Sequence, residues 1–154
     1  MSPSESTPTS AVPIALVGRH DEVGSSVAEA LRPEYEVTHF MSTETAVITD
    51  LPYLLRGESP PSRPHNENNT VGSGATANRP VQAVIFGRGF TQEQTSVLYD
   101  EFVHISPKCL WVVGDAKNRG EGDGPPPNLA EIIVPVFKGL LKDGVGKDGG
   151  MVYY

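Results

Sequence analysis

The chain has 154 residues, 38% hydrophobic and 20% charged, with a formal net charge of −7 at pH 7 and one cysteine. Those values describe one ordinary globular domain, and the acidic balance argues against a general nucleic-acid or anionic-membrane surface, which needs a concentrated basic field. A lone Cys109 excludes an internal disulfide framework and points to a reducing compartment, and no stretch approaches the ~20 apolar residues of a membrane span.

Met1–Val12 is rich in Ser, Thr and Pro, with no apolar run and no early basic residue. It predicts a disordered tail (1–12) rather than a secretory signal, and with it a cytoplasmic location. From Pro13 onward the pattern alternates. Pro13–Gly18 is apolar, too short for a helix and stopped by glycine, which reads as a first strand. Asp21–Arg32 reads as a helix, with Val23, Val27 and Leu31 forming one stripe and Pro33 ending it. Tyr35–Met41 alternates Tyr35, Val37 and His39 against Glu36, Thr38 and Phe40, as a second strand near a sheet edge would. In Thr43–Gly57, Val47, Leu51, Leu54 and Leu55 have helical spacing. Pro52 is expected to kink or restart that helix, with Asp50 capping the second piece. Residues 58–80 are poor in apolar side chains and read as a flexible insertion, without the aromatic bulk that would seal a site.

Val81–Gly87 is a third strand. Thr91-Gln92-Glu93-Gln94 is a capping-box pattern opening a helix to about Ile105. Cys109–Gly114 is a fourth strand, 116–127 a Gly/Pro loop, and Asn128 with Glu131 caps a last helix in which Pro135 is expected to cause a bend. Met151–Tyr154 can add a short fifth edge strand. Strand and helix in strict alternation predict a single α/β domain over 13–154. Its expected form is a three-layer, doubly wound, mostly parallel sheet of order 2-1-3-4 with right-handed crossovers.

Three apolar runs end alike: Gly18-Arg19, Gly87-Arg88 and Gly114-Asp115 each place glycine and then a charge where a buried strand emerges. Parallel sheets bind ligands at those carboxyl ends, and most often where the winding direction reverses, here between strands 1 and 3. Gly18, Arg19, His20, Gly24, His39, Gly87 and Arg88 are therefore the candidate binding residues, and the two guanidinium groups are expected to share one anion. Lys117 is a further cation for the same rim. His20 and Asp115 are the weak candidates for acid–base catalysis; with His39 they could form an acid–base set or a weak metal site, but a metal needs converging ligands that sequence does not demonstrate, so no metal centre is expected. No G-x-S-x-G elbow is present, and Cys109 reads as an inert core thiol.

Over Ile14–Gly24 the strand, glycine turn and helix resemble the dinucleotide-binding Rossmann domains, with Gly24 in the place of the glycine that lets helix and strand approach. The pattern departs from that family in lacking G-x-G-x-x-G, since Arg19 and His20 follow Gly18, and in carrying Thr38 or His39 where an acidic residue would meet the ribose. The resemblance implies a nucleotide-like ligand, with Arg19 favouring the 2′-phosphate of NADP. Three readings follow: a module binding an anionic, nucleotide-like small molecule; a small NADP(H)-linked oxidoreductase or a lyase/isomerase; and a ligand-free interaction or scaffold subunit, as a homodimer.

Overall fold

The computed structural model describes residues 11–18, 21–32, 34–58, 80–87, 90–114, 129–144 and 150–154. Within them lie β1 (Val12–Val17), α1 (Asp21–Leu31), β2 (Tyr35–Met41), α2 (Glu44–Arg56), β3 (Ala83–Phe86), α3 (Gln92–Phe102), β4 (Leu110–Val113), α4 (Leu129–Gly144) and β5 (Gly150–Tyr153). The strands form one five-stranded sheet of order β2-β1-β3-β4-β5, parallel at every pairing. This is the Rossmann-like doubly wound architecture, with the terminal strand joining the sheet at its edge.

Alternation along the central strands divides the core. Ile14, Leu16, Ala83, Ile85, Leu110 and Val112 face α1 and α4; Ala15, Val17, Val84, Phe86, Trp111 and Val113 face α2 and α3. Both faces are apolar because both are covered by helices, which is why these strands read as continuous hydrophobic runs. At the centre of the second face the Trp111 ring stacks on Phe86 (5.5 Å) and receives Tyr99 edge-on (5.3 Å), while its buried indole Nε1 has no hydrogen-bond partner among the described residues.

The helix signals are realised locally. Thr91 Oγ1 accepts from the Gln94 N–H at 3.0 Å and Gln94 Oε1 accepts from the Thr91 N–H at 2.9 Å, so the capping box is complete. α2 does not restart at Pro52: it runs unbroken from an N-cap at Thr43 to a left-handed cap at Gly57. The carbonyl that Pro52 leaves without an N–H partner is that of Ile48, whose side chain is 52% exposed, so solvent can satisfy that turn. Asp50 lies buried within the unbroken helix instead of starting a second one, and it meets His39 of β2. α4 likewise continues through Pro135, which is exposed.

Residues 59–79 lie outside the described residues, but both flanks of the insertion are seated together. Gly57 (φ 77°) abuts Pro80, and the Val81 N–H donates to the Leu54 carbonyl at 3.1 Å. Since β3 starts beside Val81, the insertion is rooted at the amino edge of the sheet, opposite the strand ends expected to bind ligand.

One connection departs from the right-handed rule. α1 carries the chain from β1 toward one edge and packs on the first face. α2 and α3 carry it the other way and pack on the second face, so these three crossovers share one hand. α4 continues in the direction of α3 yet packs beside α1, burying Ile133, Val134, Phe137 and Leu141 with Val27, Ala28 and Leu31. The β4-to-β5 crossover therefore has the opposite hand. The usual preference arises when a helix folds straight back onto its own side of the sheet. Here β4 and α4 are separated in sequence by 114–128, and without α4 the apolar residues Leu110 and Val112 of β4 would lose Ile133, Val134, Phe137 and Leu141 from the cluster that buries them. Coverage of that face outweighs the chiral preference.

Candidate functional site

The pairing register makes the carboxyl edge flush. Met41 pairs with Val17, Val17 with Phe86, Phe86 with Val113 and Val113 with Tyr153, so all five strands end at one level. The next residues across that edge are Ser42, Gly18, Gly87, Gly114 and Tyr154. Three adjacent positions at its centre thus lack side chains, the condition under which a ligand can approach backbone closely.

Backbone hydrogen bonds continue the ladder into this row. The Gly18 N–H donates to the Met41 carbonyl at 3.0 Å, and the Gly87 N–H to the Val17 carbonyl at 2.7 Å. A Cβ on Gly87 would stand 3.4 Å from the Val17 oxygen and 3.6 Å from the Gly18 Cα, so the β1 and β3 exits touch. Both exits are then re-anchored within a few residues. On the β1 side, α1 begins at Asp21. On the β3 side, the Phe90 N–H donates to the Gly87 carbonyl at 3.2 Å, and the Phe90 ring is buried edge-on to Phe86 (5.8 Å). Arg19 and His20 fall between the first pair of anchors and Arg88 between the second. These three residues, with Asp115 and Lys117, lie outside the described residues.

Gly24 is found in the first turn of α1, where a Cβ would lie 2.5 Å from Phe40 Cε1. The close approach expected of it is real, and its partner is a ring of β2 rather than β1.

His39 is not at the rim. A register irregularity between Ile14 and Ala15 pairs Ile14 with Val37 but Ala15 with His39, leaving Thr38 as the extra residue. Its hydroxyl reaches back to the Ile14 carbonyl at 3.4 Å. An extra residue reverses the alternation beyond it. Phe40 consequently joins Tyr35 and Val37 on the α1 face, while His39 turns to the α2 face. There His39 Nε2 and Asp50 Oδ2 are 3.2 Å apart, with the two residues 3% and 0% exposed. His39 is therefore withdrawn into the α2–β2 interface, two residues below the strand end. The plain alternation read from Tyr35 to Met41 does not hold across Thr38.

Two residues of this region are not singled out by sequence reasoning. Asp50 falls on the buried stripe of α2, three residues after Val47 and four before Leu54, and an acid on an apolar stripe requires a partner. Tyr154 has no comparable signal, because its role depends on where β5 joins the sheet.

Among the described residues no three His, Cys, Asp or Glu side chains gather into a metal-holding group, and no helix is long and apolar enough to cross a membrane. Cys109 is 2% exposed, and burial pushes its thiol pKa up to about 12. At pH 8 native protein should therefore resist a thiol-directed disulfide reagent, while protein in denaturant reacts promptly. Rapid stoichiometric labelling of the folded chain would contradict this burial.

No family model matches the chain, and no solved structure matches it. Among curated proteins, "Kojic acid related protein 6" of Aspergillus oryzae (strain ATCC 42149 / RIB 40) is 33% identical over 85 residues. The match covers 55% of this chain and 46% of that protein, so the chain spans about half the length of the curated relative it resembles.

Proposed function

We propose that the chain binds an anionic, nucleotide-like small molecule over the carboxyl edge of β1 and β3. The observation that carries this reading is the 2.7 Å bond from the Gly87 N–H to the Val17 carbonyl. It sets side by side the two exits that are followed at once by Arg19 and Arg88. The winding of the sheet reverses between these same strands, the position where open α/β sheets take their ligands. The start of α1, an eleven-residue helix, adds the positive end of its dipole to the β1 exit.

Burial of His39 against Asp50 takes one histidine out of reach of such a ligand, which favours binding over turnover. His20 and Asp115 remain the acid–base candidates of the alternative, an NADP(H)-linked enzyme.

Thermal unfolding with NADPH, NADH, ATP, coenzyme A and sugar phosphates tests the proposal. A ligand at a hundred times its dissociation constant adds about 2.7 kcal/mol. That is a rise in Tm of roughly 5–10 °C for a domain of this size. Arg19→Ala and Arg88→Ala should each weaken affinity about tenfold or more, because each removes a charge-assisted hydrogen bond of about 1.5–3 kcal/mol. An identical response in wild type and both variants would refute the shared site.

A further inference from the structure

Tyr154 follows β5, and its backbone N–H extends the ladder to the Val113 carbonyl at 3.0 Å. Its side chain does not continue along β5's neighbourhood. The hydroxyl donates to the carbonyl of Phe86, the last residue of β3, at 2.7 Å, and the residue is 8% exposed. The order β3-β4-β5 puts β4 between donor and acceptor. To reach Phe86 the ring must therefore pass the end of β4, where Gly114 is buried. It does so on the α1–α4 face, where Phe137 of α4 meets it edge-on with ring centroids 4.9 Å apart.

We infer that Tyr154 is a positioning residue of the candidate site: it clamps the end of β3 at the peptide that leads into Gly87. This rests on the binding reading proposed above. Gly87 has two fixed sides, the Val17 carbonyl that receives its N–H and the Phe90 N–H received by its own carbonyl. The peptide group preceding it, whose oxygen is that of Phe86, is held by Tyr154. Loss of that bond frees the segment carrying Arg88 while leaving the β1 exit as it was.

The test is Tyr154→Phe in the full chain, which keeps the ring against Phe137 and deletes only the donor. Amide hydrogen exchange of 86–90 should rise about fivefold or more, with α1 unchanged. Val37→Ala, a cavity variant in β2 outside the core cluster of Phe86 and Phe90, serves as a destabilised control and should leave exchange in 86–90 where wild type has it. In NADPH and ATP titrations of Tyr154→Phe, any affinity shown by wild type should fall fivefold or more, and Val37→Ala should retain it. Unchanged exchange at 86–90 in Tyr154→Phe overturns the clamp whether or not a nucleotide binds. Raised exchange with wild-type affinity overturns the positioning role alone. If wild type binds neither probe, the binding reading falls, and the exchange comparison still decides whether Tyr154 holds the β3 end.

Discussion

Replacing Asp50 by alanine is expected to destabilise the fold by more than about 2 kcal/mol, the largest single effect anticipated for this chain. The reason is what the substitution leaves behind. His39 is 3% exposed and its Nε2 lies 3.2 Å from Asp50 Oδ2, so truncating the carboxylate removes this partner from a buried ring nitrogen. An unsatisfied buried polar group costs about 1–3 kcal/mol, and an uncompensated buried charge about 3–5 kcal/mol. Urea unfolding of Asp50→Ala, with m checked for constancy, places the pair on that scale. The double variant His39→Leu/Asp50→Leu should recover much of the loss, because exchanging both partners for apolar groups removes the desolvation penalty as well as the bond. Additive single-variant losses in that cycle would mean the two side chains do not interact. The pair also has a consequence for specificity. It joins the second turn of α2 to β2 at one fixed height, and a shift of α2 by one turn would bury both groups apart.

Gly24→Ala should cost about 1–3 kcal/mol, against the usual helical preference for alanine over glycine of about 1 kcal/mol. A Cβ there would sit 2.5 Å from Cε1 and 3.0 Å from Cδ1 and Cζ of Phe40, a ring itself buried among Val27, Val37 and Leu16. The ring is only 6% exposed, so α1 must lift from the sheet or Phe40 must leave its rotamer. Phe40→Leu should be destabilising alone but should rescue Gly24→Ala in combination, a coupling a double-mutant cycle reads directly. Stability of Gly24→Ala at or above wild type would show that the helix–strand approach is looser than the structure has it. Since α1 opens the β1 exit, a lifted helix would also displace the backbone on which Arg19 is carried.

Much of this protein is legible in its sequence. Apolar runs of four to six residues ending in glycine, each followed by a 3.6-residue periodicity, specify buried parallel strands with covering helices. Alternation of the two leaves few topologies, so the order of the sheet and the reversal between β1 and β3 follow from chain order. Local signals with local causes are equally plain: Thr91 and Gln94 satisfy each other's backbone within one turn, and Gly57 closes α2 in the only backbone region that a left-handed cap allows.

What tertiary structure alone decided are the features whose cause lies on another element. Thr38 is an ordinary strand residue until the pairing of β1 and β2 makes it the extra one, and only then do His39 and Phe40 exchange faces. The hand of the last crossover depends on which sheet face still needs covering, a property of all five strands together. Tyr154 acquires a partner sixty-eight residues away because β5 adds beside β4. Periodicity reports what a residue's own neighbours require; it carries no term for register, coverage or the meeting of distant strand ends, and those three set the candidate site.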